Sequence, residues 1–325
     1  NGWKPDEYQK KKVGFEWVTM GPKLTSTSLA AFGPEGLLID EFYTLRARKA
    51  VIEGWLTKQV DGRIHGNMWT CGTPTFRCRH EVIVNLPGSD AIWGREIREL
   101  LTADEGTIIV GADSSGNQLR GLCHYVRNAD FTKEVIFGDQ HQRNADSLGC
   151  SRAVAKSYLY AYLFGAGDAK LGQVLTGKAN AAVGKKSRAD FAKGIKGLTE
   201  LKDKLSKVWK NTRFGGGEGK IPGLDGRPIY VASDHQALNY LLQSAEGITC
   251  KAAVSYQMQK IKEEGLRAEA RLFYHDETAW ACHPDDADRV GQILKESFAE
   301  APKWFGVECM DGGDPSMGSS YADVH

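Results

Sequence analysis

The chain has no run of 18 or more apolar residues, which argues against a membrane-spanning helix. Its start, NGWKPDEYQKKK, has no apolar core and so does not read as a secretory signal. Position 1 is not Met, and the chain is therefore expected to begin inside a longer product or after processing. There is no CxxC, and the 7 cysteines (71, 78, 123, 150, 250, 282 and 309) are scattered and odd in number. That pattern argues against a disulfide framework or a zinc site and predicts buried or incidental thiols in a reducing compartment, the cytoplasm (a host's, if the source is viral). Internal repeats and low-complexity linkers are also lacking. At 325 residues, 41% hydrophobic and 26% charged, the composition is that of a globular protein with two ordinary domains or one large one.

Charge is present but unevenly spread. Residues 151–220 carry 15 Lys and Arg against 5 Asp and Glu, or +10, so the remainder must sum to −9 to give the net +1. A basic segment of that length suggests a polyanion partner, phosphates or nucleic acid, unless it is simply a solvated helical face.

Two acidic islands stand out. Asp113 ends the apolar run TIIVGADSS, and Asp276 interrupts YHDETAWAC. Carboxylates within strand-like stretches are costly to bury alone, and two brought together repel unless a divalent cation lies between them. Between the islands, in RAVAKSYLYAYLFGAG, Arg152, Lys156 and Tyr160 recur at a spacing of four, which stacks them on one face of a helix. A metal-binding carboxylate pair facing a cationic helix is what phosphoryl transfer from a nucleotide requires. The aromatics Tyr158, Tyr160, Tyr162 and Phe164 predict that this face meets an apolar groove.

The rest of the chain reads as follows. A helix is predicted around EFYTLRARKAVIEGWLTKQV, strand and loop at GRIHGNMW and HEVIVNLPG, a buried strand at TIIVGAD and a helix over Gln118–Arg127. Residues from about 150 to 212 are helical in pattern. The glycines at 215, 216, 217 and 219 predict a flexible turn before a short hairpin rather than a phosphate cradle, since no helix start follows at once. LNYLLQSAEGITCKAAVSYQMQKIKEEG reads as a long helix, and RLFYHDETAWAC as two strands broken at His275-Asp276. One compact unit with an inserted helical subdomain is expected.

In this order the motifs resemble those of family A DNA polymerases, the DNA polymerase I group, and its phage replicative branch in particular. GADSSGNQLR resembles the first palm motif, RAVAKSYLYAYLFGAGDAKLGQ the nucleotide-binding fingers helix, LNYLLQSA the template-contacting helix, and YHDE the second palm motif. TFRCRH and NLPG look like eroded primer-contacting segments, GRIHG matches just upstream, and the chain closes on His325 as these polymerases commonly do. Four motifs in order make the resemblance specific, and it covers about residue 60 to the end.

The resemblance implies an α+β fold: a polymerase palm with an antiparallel sheet and an inserted helical fingers subdomain. It divides the chain into 1–65 (an N-terminal region, a candidate thumb remnant), 66–119 (palm, first part), 120–220 (fingers) and 221–325 (palm, second part). It implies template-directed DNA synthesis: nucleotidyl transfer from deoxynucleoside triphosphates to a primer 3′-hydroxyl by a two-metal mechanism. Asp113 and Asp276, with the main-chain carbonyl of Ser114, would hold two Mg2+ ions. Glu277 would be an outer carboxylate or a plain surface residue. Arg152 and Lys156 would clamp the triphosphate, Lys156 also protonating the pyrophosphate. Tyr160 would lie against sugar and base, unless it is a core aromatic, and His141 would touch the triphosphate or serve as a structural histidine. Arg77, Arg227, Asn239, Gln243 and His275 match positions that touch primer or template; a geometry check at minor-groove acceptors needs such polar groups. Surface arginines and helix amides are the alternative.

Two departures matter. Gln118 stands where the family has a Glu that obstructs a ribonucleotide 2′-hydroxyl and bonds a fingers tyrosine, and Phe164 stands at that tyrosine's position. The two changes read as matched, with Gln118 held by packing or another donor. The family's exonuclease and most of its thumb are also missing, so a fragment or a second polypeptide supplying both is expected. A single-subunit RNA polymerase and a non-catalytic nucleic-acid-binding subunit remain the alternatives.

Overall fold

A computed structural model describes residues 8–14, 16–213, 215 and 217–324. His325 and Gly216 lie outside the described residues. Among the described residues no helix is long and apolar enough to cross a membrane. The chain divides into two compact units: one runs up to Gly66 and includes Val82–Leu101, and the other comprises Asn67–Glu81 and everything from Thr102 onward.

The first unit carries an exposed antiparallel hairpin, Tyr8–Val13 with Glu16–Pro22, and the long helix Pro34–Lys58 expected from the sequence. Pro34 opens that helix where its missing N–H costs nothing. Val82–Leu101, expected with the sheet region, belongs to this unit because it is bonded there. Trp55 Nε1 donates to the Val82 carbonyl at 3.0 Å, and Arg48 Nε to the Ile92 carbonyl at 3.2 Å. Of the strand and loop read at HEVIVNLPG, only His80 and Glu81 are strand.

The second unit is built on a four-stranded antiparallel sheet. Its strands are β1 (Ile108–Asp113), β2 (Ala268–Tyr274), β3 (Glu277–Cys282) and β4 (Ser316–Gly318), in the order β2-β3-β1-β4. β1 is the IIVGAD part of the strand predicted at TIIVGAD, and β2–β3 are the two arms around His275-Asp276. Alternation sorts the side chains. Val110, Ala112, Trp280 and Cys282 form one apolar face. Gly111 lies on the other, where an added Cβ would come within 2.9 Å of Val324 Cβ, so the C-terminal segment covers that face closely.

Five helices position the site: α1 (Asn117–Val126), α2 (Gln140–Leu148), α3 (Arg152–Leu163), α4 (Ala237–Glu263) and α5 (Ala287–Glu300). The apolar sheet face packs on Cys250, Ala253 and Ile261 of α4 and on Val290, Ile293, Leu294 and Phe298 of α5. A second core joins Leu119 and Leu122 of α1, Tyr158, Leu159, Tyr162 and Leu163 of α3, and Leu238, Leu241 and Leu242 of α4. It also takes in the helix Leu198–Thr212 through Leu205 and Trp209, and the hairpin Gly219–Pro222/Pro228–Val231 through Ile221 and Ile229. Thus α4, about 40 Å long at 1.5 Å per residue, belongs to both cores and is buried on every side from Ser244 to Cys250. Mixed helix and antiparallel sheet is the α+β class that the sequence predicts. All seven cysteines are free, five of them buried and Cys71 exposed.

Candidate active site

Asp113 is the last residue of β1, and Asp276 is the second residue of the two-residue turn joining β2 to β3. Pairing of β1 with β3 sets Glu277 directly opposite Asp113, and the Ser114 amide donates to the Asp276 carbonyl at 2.8 Å. The two acidic islands therefore meet at one end of the sheet. His275 presents Asp276 from a left-handed conformation, φ +58°, which residues other than glycine seldom adopt. Gly116, φ +54°, turns the chain from β1 into α1.

Asp276 is partly buried, and burial together with the nearby Glu246 and Asp113 carboxylates pushes its pKa up to about 7, against an opposing pull from Arg77. The site thus favours a cation beside that carboxylate. The donors are oxygens, as Mg2+ and Ca2+ prefer. The sheet-edge bonds use the Asp113 carbonyl, which accepts from Gly313, and the Ser115 amide, which donates to Asp311, so the Ser114 carbonyl is left outside the ladder. At Gly313 a Cβ would fall 2.2 Å from Asp113 Oδ1, so the glycine preserves the space that this carboxylate occupies. No cluster of three or more His, Cys, Asp or Glu that could hold a metal occurs among the described residues. Two carboxylates and a carbonyl nevertheless suit Mg2+, which keeps several waters. Glu277 is buried, and its Oε2 accepts from the Tyr321 hydroxyl at 3.0 Å, so the plain surface role is excluded.

Beside this edge a cavity of about 400 Å³ is lined by Ser115, Gly116, Arg120, His141, Arg152, Lys156 and Tyr160, among others. Ser151 caps α3, accepting from the Val154 amide, so the helix starts at Arg152. Arg152, Lys156 and Tyr160 share the stripe predicted for them, continued by Phe164. The aromatic groove is narrower than expected, since Tyr158 and Tyr162 lie on the opposite stripe and are core residues. Arg152 Nε donates to Asp139 Oδ2 at 2.7 Å, while Asp139 Oδ1 caps α2 by accepting from Gln142. That bond, above all, holds the Asp139 carboxyl below its usual range. Among the described residues no carboxylate pairs with Lys156. Burial lowers the His141 pKa, and Arg152 and Lys156 lower it further.

The polar residues on α4 and around it are only partly free. Arg77 Nη2 donates to the buried Glu246, and the Gln118 amide donates to the other Glu246 oxygen at 2.9 Å. Gln118, expected to be held by packing or another donor, is instead anchored by an acceptor, Glu246, while Phe164 is exposed at the end of α3. Gln243 accepts from Thr75 at 3.5 Å, and Asn239 keeps a buried Oδ1 without a partner among the described residues. Arg227 bonds Asp225 at 2.5 Å and lies 4.3 Å over the Phe76 ring. His275 packs 5.2 Å from His80, and burial, with Arg77 and His80, depresses its pKa to about 4. Sequence reasoning missed Glu246 and Asp139. A carboxylate three residues after Gln243 in an apolar helix, and an Asp just before QHQRN, were the available signals.

A family model described as DNA polymerase family A matches residues 37–310. The chain is similar to the DNA-directed DNA polymerase of Escherichia phage T7, at 28% identity over 298 residues, covering 82% of this chain and 42% of that protein. It is also similar to DNA polymerase I of Aquifex aeolicus, at 26% identity over 264 residues, covering 75% of this chain and 43% of that one. It thus spans about two fifths of the length of these relatives. The fold is similar to the POL domain of Pol1 from M. smegmatis, solved in complex with DNA primer-template and dNTP, with a TM-score of 0.80 at 20% identity over 94% of this chain and 57% of that one. With the model spanning most of its length, the chain belongs to DNA polymerase family A.

Proposed function

We propose that the chain catalyses template-directed DNA synthesis, with a primer 3′-hydroxyl attacking the α-phosphate of a deoxynucleoside triphosphate in line. One observation carries the reading: Asp113 and Asp276 meet at the sheet edge beside a cavity lined by His141, Arg152 and Lys156. Two Mg2+ ions bound by Asp113, Asp276 and the Ser114 carbonyl would supply Lewis-acid activation of the 3′-hydroxyl and charge neutralisation at the phosphates. Glu277, opposite Asp113, orients the edge through its bond from Tyr321. Arg152 releases Asp139 to grip phosphate oxygens. Lys156 holds the triphosphate and donates a proton to the departing pyrophosphate. Tyr160 and Gln118 border the sugar, and His141 adds a neutral donor.

Arg77, Arg227, Asn239, Gln243 and His275 face primer–template in this reading, with 66–119 and 221–325 as palm and 120–220 as fingers. A second polypeptide supplying exonuclease and thumb belongs to the same proposal, as does action in the cytoplasm; co-purification from the source cell tests the former. The decisive experiment is primer extension with each dNTP and Mg2+. Wild type extends, and Asp113→Asn or Asp276→Asn loses at least a thousandfold, as removal of metal assistance worth several kcal/mol requires. Incorporation within tenfold of wild type in either variant refutes the site.

A further inference from the structure

Glu246 is unused by this mechanism, yet it is 1% exposed, a costly burial for a carboxylate unless something is gained. It sits on α4 and takes two partners from distant parts of the chain. Arg77 donates to Oε1 and supplies the countercharge, and Gln118 Nε2 donates to Oε2 at 2.9 Å. Gly247, the next residue, lets α4 approach closely: a Cβ there would stand 3.1 Å from the Arg77 Cα and from the Phe76 carbonyl oxygen. A carboxylate can only accept, so Glu246 dictates which end of the Gln118 amide faces it. The Gln118 Oε1 is consequently turned elsewhere, buried and without a partner among the described residues.

This arrangement borders the reacting centre. In the proposed function, phosphates lie between the aspartates and the cationic stripe of α3. The sugar is bonded directly to the α-phosphate and so must sit against whatever neighbours Asp276. The groups whose charge reaches Asp276 are Glu246, Arg77 and Asp113, and Tyr160 feels both Asp276 and Glu246.

We propose that Glu246 is the positioning residue for sugar selection: through its bond to Gln118 it fixes the side chain that obstructs a ribonucleotide 2′-hydroxyl. The inference rests on the polymerase reading and deepens it. The carboxylate has in effect been moved from position 118 to the facing helix, with donor and acceptor exchanged. Gln118→Glu would not restore a tether, because it would set a second buried carboxylate against Glu246.

The test is the ratio of kcat/KM for dATP over ATP on one primer–template, measured for wild type, Glu246→Ala, Glu246→Gln, Gln118→Glu and the exchange Gln118→Glu/Glu246→Gln. A ratio is unaltered by a uniform loss of folded enzyme, so a merely structural role leaves it alone. Glu246→Ala should lower it by on the order of tenfold, the size expected of a hydrogen bond to a charged group. Glu246→Gln, whose amide oxygen still accepts, should retain most of it. The exchange should recover what Gln118→Glu loses. If Glu246→Ala does not fold, the exchange pair decides. A ratio within twofold of wild type in Glu246→Ala, or no recovery in the exchange, overturns the inference while leaving the polymerase intact. A wild type that extends no primer overturns the polymerase reading, and the inference with it.

Discussion

Gln257 offers the sharpest test of how the catalytic edge is held. It is fully buried on α4, and its amide joins three elements. Nε2 donates to Thr278 Oγ1 at 3.2 Å and to Ser297 Oγ at 2.8 Å, while Oε1 accepts from Trp280 Nε1 at 3.0 Å. Thr278 and Trp280 lie on β3 immediately after Asp276 and Glu277, and Ser297 lies on α5. Gln257→Leu keeps the volume and removes all three bonds. Ser297 still donates to the Leu294 carbonyl, so its loss is small. The Trp280 N–H, a donor with no other hydrogen-bonding capacity, is left buried and unpaired, which costs about 1–3 kcal/mol. With about 1 kcal/mol for the two hydroxyl bonds, the expected destabilisation is roughly 2–4 kcal/mol. Urea unfolding followed by circular dichroism measures it. Trp280→Phe in the same background should lose about 1–2 kcal/mol less than the sum of the singles, since the orphaned donor is gone. A loss below about 1 kcal/mol, or strict additivity, would refute the claim that this amide fastens β3 to both helices.

Other outcomes follow from the site. Lys156→Ala should depress the single-turnover rate of incorporation more than it weakens DNA binding, whereas Arg152→Ala should chiefly raise KM for all four nucleotides; a base-selective effect of Arg152→Ala contradicts its phosphate role. Asp139→Asn should lower KM for the nucleotide modestly by releasing Arg152, and a raised KM would mean that the pair pre-orders the arginine instead. In a chelator, the raised Asp276 pKa means that the folded protein binds more protons than the unfolded chain between about pH 4 and 7, so this group's contribution to stability falls as pH rises through that window. Asp276→Asn should therefore melt higher than wild type at pH 8 without metal, with a ceiling of about 4 kcal/mol, and Mg2+ should narrow the gap; a lower melting point without metal sinks this. His275 should remain a neutral imidazole at pH 5.5 by nuclear magnetic resonance, and a protonated ring there would contradict its burial beside Arg77.

The sequence alone carried the elements and the chemical inventory. The short apolar run ending at Asp113 and the strand-like arms broken at His275-Asp276 marked β1, β2 and β3, and the four-residue spacing put Arg152, Lys156 and Tyr160 on one stripe, because both patterns are local consequences of backbone geometry. The order of the motifs pointed to the family. Tertiary packing decided the rest. Which aromatics of α3 are core depended on what packs against that helix, so Tyr158 and Tyr162 turned inward while Phe164 stayed exposed. Val82–Leu101 joined the first unit through bonds to Arg48 and Trp55, which no periodicity encodes. The anchor of Gln118 came from Glu246, 128 positions away, and Arg77 reached the same carboxylate across 169. Local pattern fixes which way a side chain leaves its own helix or strand, but a buried charge is tolerated only when distant partners converge on it, and that convergence exists only in the folded chain.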